Sequence, residues 1–359
     1  MQNLSSQRVP FRQGITLAGL LIERGHLFIL IGAFDRAEND YQRAFRDATC
    51  RNSPIEKNRV MLEIANIAYL KGQFQKSLSL LNKIGPSIKR IQDSELTFLF
   101  WRYKGNTYRI QGNYAAALGC YEKLLSERGA TGRDKRAIAL NLTGLAHQGE
   151  GAYGKAAVKI RRAYRLFKDM KNYSAQGSCL ANIGYVLTFS GKAEKALPCF
   201  EEAVAQLSRL GAKSLVATPL LNWGSAFYKL GRYDDALEKW QEALNLNREI
   251  GDFAAVAMLH NNIGFAFIEK KCCRESLKHF TIALAKKQEL RLTGYLPSTY
   301  NGFAKAYYNL YRETKKVSHR KKALECARTA YKIAEKYSNT YDSGIARELI
   351  KKLKRSLNK

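Results

Sequence analysis

The chain is poor in several features that mark whole classes of protein. No apolar run reaches the roughly 20 residues that cross a bilayer, so insertion into a membrane is not expected. Arg8 and Arg12 precede "ITLAGLL", the outline of a secretory signal, but Glu23, Arg24 and His26 break the run that follows. Residues 1–14 therefore read as a lead-in, not a targeting segment. The seven cysteines are odd in number and include no CxxC, and the adjacent Cys272 and Cys273 cannot easily bond to each other. They read as reduced thiols of a cytoplasmic protein, several of them filling helix contacts.

The marks of catalysis are equally sparse. His26, His147, His260, His279 and His319 form no HExxH and no metal spacing with cysteine. There is no GxxxxGK[ST], and the glycine-rich "GEGAYG" at 149–154 follows no strand. No serine or cysteine sits in a recognisable nucleophile context. These absences argue against an enzyme and imply no cofactor and no metal. Acidic residues are also few: 31 Asp+Glu against 60 Lys+Arg give a net charge of +29. Such an excess implies attraction to an acidic protein segment, nucleic acid or an anionic surface, and says nothing about fold.

What the chain does contain is a repeat. A glycine recurs as Gly32, Gly72, Gly112, Gly151, Gly191 and Gly231, and Lys271 holds the next equivalent place. The period is about 40 residues, within the range of helical-hairpin arrays. Seven residues before each of these stands Gly25, Ala65, Gly105, Gly144, Gly184, Gly224 or Gly264. Five residues after stands Ala37, Ser77, Ala117, Ala156, Ala196, Ala236 or Ser276. A large side chain often follows four places on, as Tyr41, Tyr121, Phe200, Trp240 and Phe280. The later glycine suits a tight turn that needs positive φ. The small residues let two helices approach closely, and an aromatic two places after the turn glycine fills the wedge between them. Each unit is thus a helical hairpin with an apolar edge that must be buried on a neighbour.

These residues resemble the tetratricopeptide repeat. The unit here is longer than usual and similar to the variant of Leu-Gly-Asn repeat scaffolds, kinesin light chains and bacterial peptide-sensing regulators. The resemblance covers roughly residues 15–335 and implies an all-α, right-handed superhelical solenoid of about eight hairpins. The 40-residue register never breaks before residue 302, so a continuous array with no independent second domain is expected. An eighth unit holds Gly302, Ala323, Ala327 and Ala330, with a basic insertion near 311–322 that is expected to be the most mobile internal segment. Residues 340–359 read as a basic capping helix with an apolar stripe of Ile345, Leu349 and Leu353. Pro219 and Pro297 fall where first helices are expected and Pro198 in a second helix, so bends are expected there.

In the resembling family the first helices line a concave groove. Asn182, Asn222 and Asn262 lie two places before successive early glycines, so they share one position of the repeat. An asparagine amide carries both a donor and an acceptor, and so can pair with an extended main chain whatever its side chains. The alternative is that each amide bonds a neighbouring helix and sets stacking register. The same count offers Arg59, Asn66, Arg102, Asn106, Arg109, Asn141, Tyr185, Tyr228 and Asn261. Arg102 and Asn106 match the start of the two-carboxylate clamp of chaperone-binding relatives, but Leu142 and Ser178 break that pattern. A bidentate hold of arginine on one acidic side chain remains reasonable.

The expected role is therefore a non-enzymatic scaffold or adaptor that binds a protein or peptide segment, an acidic one among the candidates. A sensor of a signalling peptide acting on a separate output protein is the first alternative. A nucleic-acid-associated solenoid is the second, and it rests on the charge. The densest basic residues are Lys315, Lys316, Arg320, Lys321 and Lys322, with Lys351, Lys352, Lys354 and Arg355 near the end.

Overall fold

A computed structural model describes residues 16–30, 33–126, 132–211, 213–290, 292–337 and 339–355. The lead-in at 1–14, Gly32 and the last four residues lie outside them. The chain divides into two compact units, residues 1–172 and 173–359. Unit 1 holds α1 (Leu17–Leu30), α2 (Phe34–Cys50), α3 (Pro54–Leu70), α4 (Phe74–Ile91), α5 (Ser94–Ile110), α6 (Tyr114–Leu125), α7 (Arg133–Gly149) and α8 (Tyr153–Asp169). Unit 2 holds α9 (Tyr173–Phe189), α10 (Ala193–Arg209), α11 (Lys213–Lys229), α12 (Tyr233–Glu249), α13 (Phe253–Glu269), α14 (Cys273–Glu289), α15 (Leu296–Thr314), α16 (Val317–Lys336) and α17 (Thr340–Arg355). The described residues contain no strand, and the fold is an all-α repeat solenoid. None of their helices is long and apolar enough to cross a membrane.

Local chemistry sets the helix ends. The side chains of Ser53, Asp93 and Asp252 accept from the backbone N–H of Glu56, Leu96 and Ala255, each satisfying a donor that the helix itself leaves open. Between the helices of a hairpin the chain turns through one left-handed residue. Gly231 sits there at φ 76°, and Lys271 takes the same turn at φ 61°. The turn is thus a property of the register, and lysine meets it at a steric cost that glycine avoids.

The early glycines serve a different purpose. A Cβ on Gly105 would lie 2.4 Å from the Tyr121 ring, on Gly224 2.5 Å from Trp240, and on Gly264 2.7 Å from Phe280. Tyr121, Phe200, Trp240 and Phe280 are all essentially buried. Each large residue of a second helix therefore occupies the space that the early glycine of its own first helix leaves open. A Cβ on Gly302 would lie 2.4 Å from Phe280 of the preceding hairpin.

Within each unit, first helices also touch one another: α1 and α5 contact α3, α7 contacts α5, α11 contacts α9, and α15 contacts α13. Among the described residues the second helices show no comparable contacts with one another. The first helices are crowded on the inside of each stack and the second helices splay on the outside.

Two local details differ from what the sequence suggests. The 311–322 insertion lengthens both helices of the last hairpin: α15 runs to Thr314 and α16 starts at Val317. Lys315, at φ 57°, makes the turn. The Thr314 hydroxyl accepts from the Lys316 N–H at 3.3 Å, and its Oγ1 lies 3.0 Å from His319 Nδ1. The ends of the segment thus satisfy their own polar groups, and His319 stacks on Tyr307. The second difference concerns Pro297. It lies in the first turn of α15, where no N–H is needed, because residues 293–295 form a short 3-10 turn ahead of it. Pro198 and Pro219 do lie inside α10 and α11.

Two buried polar groups stand out in unit 2. The Lys287 ammonium, 2% exposed, donates to the Tyr295 carbonyl at 2.9 Å and to Thr299 Oγ1 at 2.8 Å. No carboxylate bonds it among the described residues, and burial pushes its pKa down to about 8. His260 Nδ1 lies 3.0 Å from His279 Nδ1, and its Nε2 lies 3.5 Å from Arg248. Burial first, and then the neighbouring His279 and Arg248, push His260 down to about 4. Cys120, Cys179 and Cys273 are buried in the helix packing.

Candidate functional site

A concavity of about 850 Å³ lies in unit 2. Its floor is built from the inner helices. These contribute Phe189 at the end of α9, Ser225 and Tyr228 of α11, Asn262 and Phe265 of α13, and Asn301 and Lys305 of α15. Its far wall is α17, through Tyr341, Asp342, Ile345, Glu348, Leu349 and Lys352. The lining is mostly apolar and aromatic, with a few polar groups converging on it, as sites for organic ligands and peptide segments are.

The helix that the sequence suggests as a plain cap thus has two working faces. Ala346, Leu349 and Leu353 are buried, and α17 packs along α16 and α15. Tyr341 and Ile345, one turn apart, are exposed at 77% and 36%, and both line the cavity. The junction is held by Asn301. Its Nδ2 donates to the Asp342 carbonyl at 3.0 Å and to Asp342 Oδ1 at 3.2 Å. Asn301 Oδ1 is buried and accepts from no group among the described residues. A buried acceptor without a donor costs about 1–3 kcal/mol. One turn further along α15, Lys305 Nζ donates to Glu269 at 2.9 Å, and Glu269 also accepts from Tyr228 Oη at 3.4 Å. Burial, and then the Glu269 charge, raise the Tyr228 phenol, so it stays protonated and able to donate.

The structure places the sequence-derived residues unevenly around this site. Asn182, Asn222 and Asn262 are all half-buried on first helices at the same register, and Asn262 lines the cavity. Tyr228 lines it too. Tyr185 stacks on Phe189, a lining residue, with ring centroids 4.4 Å apart. Asn261 does not belong to the groove. It is 6% exposed, and its Oδ1 accepts from Thr299 at 2.8 Å, because one step along a helix turns a side chain by about 100° into the packed interface. Asn301 and the α17 residues are the ones the repeat count missed. Asn301 stands one place off the asparagine register, and α17 lies outside the repeat.

The remaining candidates lie in unit 1. Arg59 is exposed on α3, and Asn66 on α3 and Asn141 on α7 are half-buried. On α5, Arg102, Asn106 and Arg109 follow at i, i+4 and i+7 and so share a face. Asn106 is already engaged, accepting from Tyr121 Oη at 2.8 Å. The Nε atoms of Arg102 and Arg109 are buried without an acceptor among the described residues.

The two basic segments, separate in sequence, meet in unit 2. Lys315 and Lys316 form the α15–α16 turn, and Arg320, Lys321 and Lys322 follow in α16. Lys351, Lys352, Lys354 and Arg355 end α17. Arg320 Nε donates to the Leu353 carbonyl at 3.2 Å, which fastens the start of α16 to the end of α17.

Stacked hairpins with a groove along their first helices define a helical-repeat binding scaffold. The tetratricopeptide repeat family models match residues 104–171 and 176–249. Those two stretches, one in each unit, are tetratricopeptide repeats. Solved structures agree on the fold. A Rap protein complexed with Competence and Sporulation Factor is 14% identical over 95% of this chain and 98% of its own, with a TM-score of 0.65. A signal transduction ATPase with a tetratricopeptide repeat sensor, from Pyrococcus horikoshii, is 15% identical, with a TM-score of 0.63. The match to it covers 92% of this chain and 50% of that one. The apo quorum sensor NprR from B. thuringiensis is 16% identical over 93% of this chain and 97% of its own, with a TM-score of 0.57. No curated protein matches the chain by sequence.

Proposed function

We propose that unit 2 binds a protein or peptide segment in the cavity between its first helices and α17. The observation that carries this reading is the composition of that cavity. Apolar rings take side chains, and the Asn262 amide offers a donor and an acceptor to a main chain. The volume of about 850 Å³ falls within the ~300–1,000 Å³ of sites that enclose organic ligands. The role is binding without turnover, as a scaffold or adaptor. Asn182 and Asn222 would extend the same backbone hold along α9 and α11.

The likeness to NprR, described as a quorum sensor, and to the Rap protein bound to Competence and Sporulation Factor supports a narrower form. In that form the segment is a signal, and its binding alters how this chain engages an output protein. Selection of a displayed random-peptide library on the full chain, followed by calorimetric titration of the selected peptides, tests the site. Asn262→Ala and Ile345→Asp should each weaken the selected peptides, while surface controls on α8 do not. Peptides that bind both variants with unchanged affinity would refute the assignment to this cavity.

A further inference from the structure

The convergence of basic segments in unit 2 has no counterpart in the proposed peptide site. Nine cations gather at the α15–α16 turn and the end of α17. The carboxylates of the same helix ends are Glu313, Glu325 and Glu348. Among the described residues the one ion pair made by the nine is Lys351 with Glu348, at 3.3 Å. Part of this charge has an ordinary explanation, since cations in the last turn of α17 oppose its helix dipole. That accounts for Lys352, Lys354 and Arg355, and for Lys315 at the C-terminal end of α15, but not for Lys316, Arg320 and Lys321, which open α16.

Like charges held within a Debye length of about 8–10 Å repel, and folding brings these two segments together against that repulsion. The Arg320–Leu353 bond fixes the juxtaposition. A regular polyanion relieves it. The patch offers long, exposed lysines, and among its described residues the large exposed apolar side chain is Val317. Tyr307, with Lys322 over its face, is already engaged between Phe303 and His319. A protein interface of this size would be expected to centre on buried aromatic or arginine anchors. Sequence-independent contact with phosphates needs only closely spaced cations. We infer that the α16–α17 end of unit 2 is a binding surface for the phosphate backbone of nucleic acid, adjoining the cavity at Lys352.

The test uses the full chain and a fluorescein-labelled duplex of arbitrary sequence, a few helical turns long, titrated by anisotropy between low and physiological salt. The variant Lys316→Gln/Lys321→Gln/Lys354→Gln removes three exposed cations and leaves Arg320 and the cavity-lining Lys352 intact. Wild-type affinity should fall steeply with salt, and the slope of log K against log salt should shrink by about 0.9 for each phosphate that is no longer neutralised. The triple variant should therefore reduce the slope by roughly two to three and the affinity at physiological salt by at least about tenfold. A second variant, Arg161→Gln/Arg162→Gln/Arg165→Gln on the basic α8, should leave both nearly unchanged.

Equal losses from the α8 variant would make the binding diffuse and overturn the proposal. So would an unchanged slope in the α16–α17 variant. Poly-glutamate and phosphatidylserine vesicles serve as competing probes. If either binds the patch as tightly as the duplex at matched charge, the partner is an acidic protein or a membrane surface, and the nucleic-acid assignment fails.

Discussion

Adding a single methyl group at Gly224 tests the packing logic of the whole array. On helix propensity alone Gly224→Ala should stabilise α11 by about 1 kcal/mol, because alanine loses less backbone freedom. The structure predicts the opposite. The new Cβ would stand 2.5 Å from both Cδ1 and Nε1 of Trp240. That indole is 2% exposed, and its Nε1–H donates to the Leu221 carbonyl at 2.9 Å. The ring cannot retreat without stretching this bond, whose net worth is about 0.5–1.5 kcal/mol. Overpacking of a filled core costs about 1–3 kcal/mol. The sum, less the propensity gain, is a loss of about 0.5–3.5 kcal/mol centred on α11 and α12. Gly119→Ala on α6 is the matched control, since nothing lies within 4 Å of its added Cβ. That variant should gain about 0.5–1 kcal/mol. Native-state amide exchange, read separately over α11–α12 and α5–α6, measures both. If Gly224→Ala protects its amides as Gly119→Ala does, the account of early glycines as space for the next helix is wrong.

Three further outcomes rest on single buried or groove-facing groups. His260 has a lowered pKa, so the unfolded chain binds more protons than the folded one between about 6.5 and the folded value of about 4; stability should fall as pH drops through that window, and His260→Leu should flatten the loss in an acid-denaturation series. Lys287 is a base whose folded pKa is lowered, so its burial is least costly once it is neutral; relative to Lys287→Met, the native chain should gain stability as pH rises from about 8 towards 10.5, by up to about 3 kcal/mol, and parallel denaturation curves for the two would contradict this. Asn262→Ala should weaken a cavity-bound peptide about three- to thirtyfold while its melting temperature stays near wild type, whereas a large fall in melting temperature with unchanged affinity would show a register-setting role.

The features legible from sequence were those that depend on neighbours along the chain. A turn residue that must take positive φ, a small residue where helices approach and a large one that fills the space all recur with the same period, because each hairpin solves the same packing problem. Gly224 and Trp240 belong to one hairpin, and their contact follows from that repeat. The asparagine register was legible for the same reason. Which of two adjacent amides faces the cavity was not. Asn261 and Asn262 differ by about 100° around a helix, and the Thr299 hydroxyl that claims Asn261 comes from the next hairpin.

What only the tertiary structure decided involves residues far apart in sequence. Helix α17 carries no repeat signal, and its amphipathic stripe says that it packs but not where. Its place follows from Asn301 bonding Asp342, 41 residues away, and that contact turns a cap into the wall of a cavity. Lys287 reads as one more surface lysine until the chain folds the Tyr295 carbonyl and Thr299 over it. The two basic runs become one surface because α17 packs along α16, where Arg320 reaches the Leu353 carbonyl, 33 residues on. Local patterning encodes the hairpin because its energetics are local. The site and the charged surface arise where separate hairpins and the terminal helix meet, and no short-range pattern records those meetings.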